Sequence, residues 1–160
     1  MDTKSYTIKE AIKKIEGYCA YQDRCYKEVR EKLYEMRLTL EEQDQILVYL
    51  AENKFLDEER FAKSFVRGKF NYKNWGRNKL RFELKFREIS PYNINKALEE
   101  IDDNRYVEVL DELIRKKKVQ TKETNIYKLK KKTVDYLLYR GWESNLIYDR
   151  IEEIYSEDEQ

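Results

Sequence analysis

Leu84-Lys85-Phe86-Arg87-Glu88-Ile89-Ser90-Pro91-Tyr92-Asn93-Ile94-Asn95-Lys96-Ala97-Leu98-Glu99-Glu100-Ile101 decides how this chain folds, because its apolar spacing occurs three times. Leu84, Ile89, Ile94, Leu98 and Ile101 recur 53 positions later as Leu137, Trp142, Ile147, Ile151 and Ile154. The same pattern stands 51 positions earlier as Leu33, Leu38, Gln43, Leu47 and Leu50, where Gln43 alone breaks the apolar match. A period of about 50 residues with helical spacing inside it marks stacked supersecondary units. Each copy reads as the end of one helix, a short turn, and a second helix with apolar residues at helical intervals.

The turns agree with this reading. Thr39 and Glu42 form a capping box at the first, and Ser90-Pro91 supplies an N-cap followed by proline at the second. Gly141 is a C-cap residue at the third. Arg37 and Glu88 stand at the positions equivalent to Gly141, so those two turns are expected to close by another geometry. A leading helix precedes each pair. The first runs through Ile8, Ala11, Ile12, Ile15 and Cys19; the second starts at Asp57 and buries Phe61, Ala62, Phe65 and Val66. The third follows Asp102-Asp103 with Tyr106, Val109, Leu110, Leu113 and Ile114. The chain therefore reads as an all-α tandem array of three three-helix units, about nine helices in all, covering residues 1–56, 57–103 and 104–160.

Composition sets limits on the alternatives. In 160 residues there are 41% charged and 41% hydrophobic side chains, too apolar for disorder and too charged for one deep core. Four Gly and one Pro exclude a turn-rich β protein. The net charge of +1 hides a polarity along the chain. Residues 1–56 carry 10 basic and 11 acidic side chains, residues 57–98 carry 11 and 5, and residues 99–160 carry 12 and 16. The middle segment is what an anionic partner meets.

Leu56-Asp57-Glu58-Glu59-Arg60-Phe61-Ala62 leads into this segment, and from Arg60 to Arg87 the cations Arg60, Lys63, Arg67, Lys69, Lys73, Arg77, Lys79, Arg81, Lys85 and Arg87 are opposed only by Glu83. Asp57 reads as an N-cap, Leu56 as a staple to the preceding helix, Phe61 as core, and Ala62 as a site of close packing. Leu-Asp-acidic-x-Arg-Phe-Ala, followed by basic residues and the Trp75-Gly76 step, resembles the RecX family of regulatory proteins, from about Ala11 to about Leu98 and more loosely to the C-terminus. The resemblance implies the same helical array. It also implies a partner, the RecA recombinase and its filament on single-stranded DNA, and a role in restraining recombination, DNA repair and the SOS response.

Arg77, Arg81 and Lys85 fall at i, i+4 and i+8 and make one basic stripe, joined by Lys79. With Arg60, Arg67, Lys69 and Lys73 they are the expected partner-binding or nucleic-acid-binding residues of the second unit. Phe82 and Phe86 lie opposite Leu80 and Leu84 and are expected to form a second packed face. A further cluster holds Arg115-Lys116-Lys117-Lys118, Lys122, Lys128 and Lys130-Lys131-Lys132. Lys116, Lys117 and Lys131 are taken from it as contacts, since stacking would align both clusters along one groove. The bland alternative is solubility.

No histidine exists for acid–base work, no glycine-rich phosphate loop is present, and no residue is assigned a catalytic role, a metal or a cofactor. Cys19 and Cys25, six apart, match no zinc or redox spacing and read as reduced thiols. No segment approaches the roughly 20 apolar residues of a membrane span. A monomeric, cytoplasmic, non-enzymatic regulator is expected. Two alternatives stand beside it: a helical module acting directly on DNA or RNA, and a non-catalytic protein-interaction scaffold.

Overall fold

Capping side chains start most of the helices in the structure, a computed structural model that describes residues 6–157. Among these residues there are nine helices and no strand: α1 (Ile8–Tyr21), α2 (Tyr26–Glu35), α3 (Leu40–Glu52), α4 (Glu58–Lys73), α5 (Arg77–Phe86), α6 (Pro91–Leu98), α7 (Asp103–Gln120), α8 (Ile126–Tyr139) and α9 (Ser144–Glu157). Thr7 and Thr39 make full capping boxes with Glu10 and Glu42. Asp57 accepts from the Arg60 N–H at 2.9 Å, Asp102 from the Arg105 N–H at 2.9 Å, and Asn125 from the Tyr127 N–H at 3.0 Å. Each bond satisfies a donor that the first helical turn leaves without a partner.

The three repeat turns share one geometry, which corrects the expectation for Arg37 and Glu88. Arg37 (φ 61°), Glu88 (φ 62°) and Gly141 (φ 91°) are all left-handed. Their N–H groups donate to the carbonyls of Tyr34 (2.9 Å), Lys85 (2.9 Å) and Leu138 (3.0 Å), in each case three residues back. A left-handed non-glycine residue costs about 1–2 kcal/mol. The turn in return drives the next residue, Leu38, Ile89 or Trp142, into the core, and full burial of such a side chain contributes about 1.5–3 kcal/mol. Burial wins, so glycine is dispensable at two of the three turns. Gln43 shows the same compromise: it occupies its buried repeat position and its Nε2 donates to the Leu38 carbonyl at 3.0 Å.

Packing groups the chain into two compact units, with boundaries within α4, within α5 and at the end of α6. The first comprises the described residues through Phe65 together with Leu84–Ala97. Its core is built on Ala11, Ile15, Val29, Leu33, Ile46 and Leu50. Cys19 and Cys25 are free and buried there, and burial pushes both thiols up to about 11. The Glu58 carboxylate accepts from the Ser90 N–H (2.9 Å) and from Asn93 Nδ2 (2.8 Å), tying the start of α4 to the start of α6. Partial burial raises the Glu58 pKa, the bonds from Asn93 and Ser90 lower it by more, and the net direction is down.

The second unit comprises Val66–Glu83 with the described residues from Leu98 onward. Tyr106 and Trp142 stack with ring centroids 4.3 Å apart, and Phe70 lies 6.0 Å from Tyr106. Arg150 makes two bonds to Asp111, at 2.8 and 2.9 Å, joining α9 to α7.

Candidate interaction surface

Trp75-Gly76 is a docking point inside the second unit. Gly76 N–H donates to the Arg140 carbonyl at 2.8 Å, Asn78 N–H to the Gly141 carbonyl at 2.9 Å, and Trp142 Nε1 to the Asn74 carbonyl at 3.0 Å. The turn before α5 is thereby laced to the turn before α9, and Asn78, in the first turn of α5, finds a carbonyl for its N–H. Lys69 and Lys79 lie over the Trp75 ring, at 5.1 and 4.6 Å from its centroid.

Several of the expected contact residues serve the fold itself. Arg60 donates to Asp23 (3.0 Å) and to the carbonyls of Lys54 (3.0 Å) and Phe55 (3.2 Å), so it closes the α3–α4 turn. Arg77 bonds Asp103 at 2.7 Å, lies 3.6 Å from Glu143, and stands 3.9 Å over the Tyr106 ring. Tyr106 in turn donates to Glu143 and accepts from the Arg77 N–H at 2.9 Å. Burial, then the bond to Glu143, pushes the Tyr106 phenol far above its ordinary range. Arg67 pairs with Glu100 at 3.9 Å and Lys131 with Asp135 at 3.0 Å. Leu56, Phe61 and Ala62 are buried.

What α5 offers outward differs from the expected stripe. Phe82 and Phe86 do not pack; they are 66% and 62% exposed, with Lys85 also exposed on the same helix. The expectation of a second packed face is corrected: the buried face of α5 is met by Leu80 and Leu84. Lys27 Nζ sits 4.0 Å from the centroid of the Phe86 ring and donates to the Phe86 carbonyl at 2.9 Å, adding a cation beside an exposed ring.

Lys73, Lys116 and Lys117, read from two separate basic clusters, do come together. They line a concavity of about 370 Å³ in the second unit with Tyr72, Asn74, Leu113, Gln120, Tyr136 and Arg140. Arg140 and the two tyrosines carried no sequence signal for this role. Arg140 is 67 residues from Lys73, yet its Nη1 donates to the Lys73 carbonyl at 2.6 Å. Among the described residues no group of His, Cys, Asp and Glu is arranged to hold a metal. No described helix is long and apolar enough to cross a membrane.

These features define a tandem helical-repeat protein that carries exposed aromatic side chains and a local cluster of basic ones. Models of the second and third three-helix domains of RecX match residues 57–98 and 103–150, and the chain belongs to the RecX family. It is 29% identical over 136 residues to the regulatory protein RecX of Clostridium acetobutylicum, covering 82% of this chain and 63% of that one. The RecX of Bacillus cytotoxicus is 24% identical over 150 residues, covering 94% and 56%. The chain thus spans about 60% of the length of several curated relatives. It covers 94% of the regulatory protein RecX of Prosthecochloris aestuarii, at 26% identity. The crystal structure of RecX from Lactobacillus salivarius superposes with a TM-score of 0.81 at 23% identity, over 91% of this chain and 95% of that one.

Proposed function

We propose that this chain is a cytoplasmic regulator that binds the RecA filament on single-stranded DNA and restrains it without catalysis. Membership of a family whose curated relatives are regulatory proteins supports the reading. The observation that carries it is the outward pair Phe82 and Phe86 beside Lys85 on α5. Leaving about two thirds of two phenylalanines in water forgoes about 1–2 kcal/mol each, and neighbouring exposed aromatics with a charged rim mark a protein contact.

Three joined repeats, divided near residues 57 and 104, would present more than one contact to a polymer of identical protomers. Each contact after the first is then intramolecular, so modest individual contacts sum to tight binding. The experiment is a titration of pre-formed RecA filaments with the wild-type chain and with a Phe82→Ala, Lys85→Glu, Phe86→Ala variant. All three side chains are exposed, so the variant keeps its helix content. Binding should fall at least tenfold; unchanged binding would remove this face from the contact.

A further inference from the structure

We propose that the concavity lined by Lys73, Lys116, Lys117 and Arg140 is a binding site for the phosphate backbone of single-stranded nucleic acid, with a base stacked on Tyr72. This site is separate from the outward phenylalanines of α5 and does not depend on the chain binding RecA.

The lining holds four basic side chains and, among the described residues, no carboxylate. Other cations of this unit sit against carboxylates, as with Lys130 and Glu152, or Arg115 and Glu157, each 3.2 Å apart. Two of the lining cations are also held in place. Lys117 Nζ and the Arg140 guanidinium both face the Tyr136 ring, at 4.2 and 4.9 Å from its centroid. The bond from Arg140 to the Lys73 carbonyl fixes the guanidinium against the end of α4. Two like charges on one ring repel each other, and an anion placed between them relieves that repulsion.

A plain alternative is that these cations only neutralise helix ends. Lys73 closes α4, Gln120 closes α7 and Arg140 caps α8, so three carbonyl ends do converge here. Each end is equivalent to about half a negative charge. Together they offset well under half of four full positive charges. Several of the carbonyls are already occupied: Lys73 accepts from Arg140, Asn74 from Trp142, Lys117 from Thr121, and Arg140 from Gly76. The positive surplus is left for an external anion.

The aromatic side chains select the kind of anion. Tyr72 lies at the site with 85% of its surface exposed, in the position of a stacking platform rather than of a core residue. Phosphate-tracking cations beside an exposed ring are the elements by which single strands are held without base readout. Asn74 and Gln120 add amide donors suited to phosphate oxygens. A free nucleotide shares this chemistry, but it would have to hold its base against an open ring with nothing on the other side.

The test is fluorescence anisotropy of the full chain with a labelled 12-residue oligothymidylate over a salt series, without RecA. Lys73→Gln with Lys116→Gln should weaken binding about tenfold and flatten the log–log salt slope by about 1.4, at roughly 0.7 per phosphate lost. Tyr72→Ala should weaken it about 5- to 100-fold and leave the slope unchanged. Lys9→Gln with Lys13→Gln removes the same charge from α1 and should change neither. Circular dichroism of each variant checks that the helices persist. Equal weakening by the α1 pair would reduce the effect to overall charge and overturn the site. So would wild-type affinity in the Lys73/Lys116 variant, or no binding by the wild type. Triphosphate nucleotide or a polyglutamate peptide competing as well as unlabelled oligonucleotide would show a free-nucleotide or an acidic-protein site and overturn the single-strand assignment.

Discussion

Gly76 and Gly141 meet backbone to backbone: a Cβ on Gly76 would lie 2.5 Å from the Gly141 carbonyl oxygen, and one on Gly141 would lie 2.4 Å from the Lys79 nitrogen. Neither neighbour is the free end of a side chain, so neither can swing aside. The aromatic-glycine step that opens α5 is therefore a packing requirement, and it holds α5 against the turn before α9 within the second unit.

Alanine at either glycine should be severely destabilising. Gly76→Ala meets backbone overlap, for which overpacking costs of about 1–3 kcal/mol or more apply. Gly141→Ala adds the penalty of φ 91°, about 1–2 kcal/mol. Gly17→Ala is the contrast: nothing lies within 4 Å of its Cβ position, it is mid-helix, and it should stabilise by about 0.5–1 kcal/mol. Thermal melts of the three variants check this order.

Arg37→Gly and Glu88→Gly should each be neutral or stabilising by up to about 1.5 kcal/mol. Glycine removes the left-handed strain of about 1–2 kcal/mol and returns about 0.5–1 kcal/mol of it as unfolded-state entropy. Urea denaturation measures the difference. A loss of more than 1 kcal/mol would mean that these side chains do something beyond occupying the turn.

Much of the fold was legible because the apolar register is periodic. Leu84 through Ile101 and its two copies fix where helices end and restart, and the register even locates Gln43 inside. The candidate surface was less legible, because charge type shows in a sequence and pairing does not. Arg60 and Asp23 are 37 residues apart, and Arg77 and Asp103 are 26 apart, so nothing local marked either arginine as occupied. Phe82 and Phe86 misled in the opposite sense, since aromatic residues at helical spacing read as core. Arg140 joins Lys73 only through the glycine crossing, which periodicity cannot reveal.

Stability should fall in acid through Glu58. Its folded pKa lies below the ordinary value of 4.5, so the carboxylate stabilises the fold above about pH 4.5, and this contribution is lost as pH falls through the lower folded value. Glu58→Gln removes the charge that Ser90 and Asn93 recognise. The gap in unfolding free energy between wild type and variant should be widest at neutral pH and narrow as pH falls through the folded value. A gap that stayed constant with pH would assign the effect to shape.

The most direct test of the account is binding of the chain to RecA filaments assembled on single-stranded DNA, followed by the rate of RecA-catalysed strand exchange. Using the Lys73→Gln, Lys116→Gln background keeps any direct hold on the strand out of the reading. The account predicts saturable binding and slowed exchange in that background, both lost when Phe82→Ala, Lys85→Glu and Phe86→Ala are added. Filaments that bind no more of the chain than bare strand does, with exchange running at its unregulated rate, would contradict it.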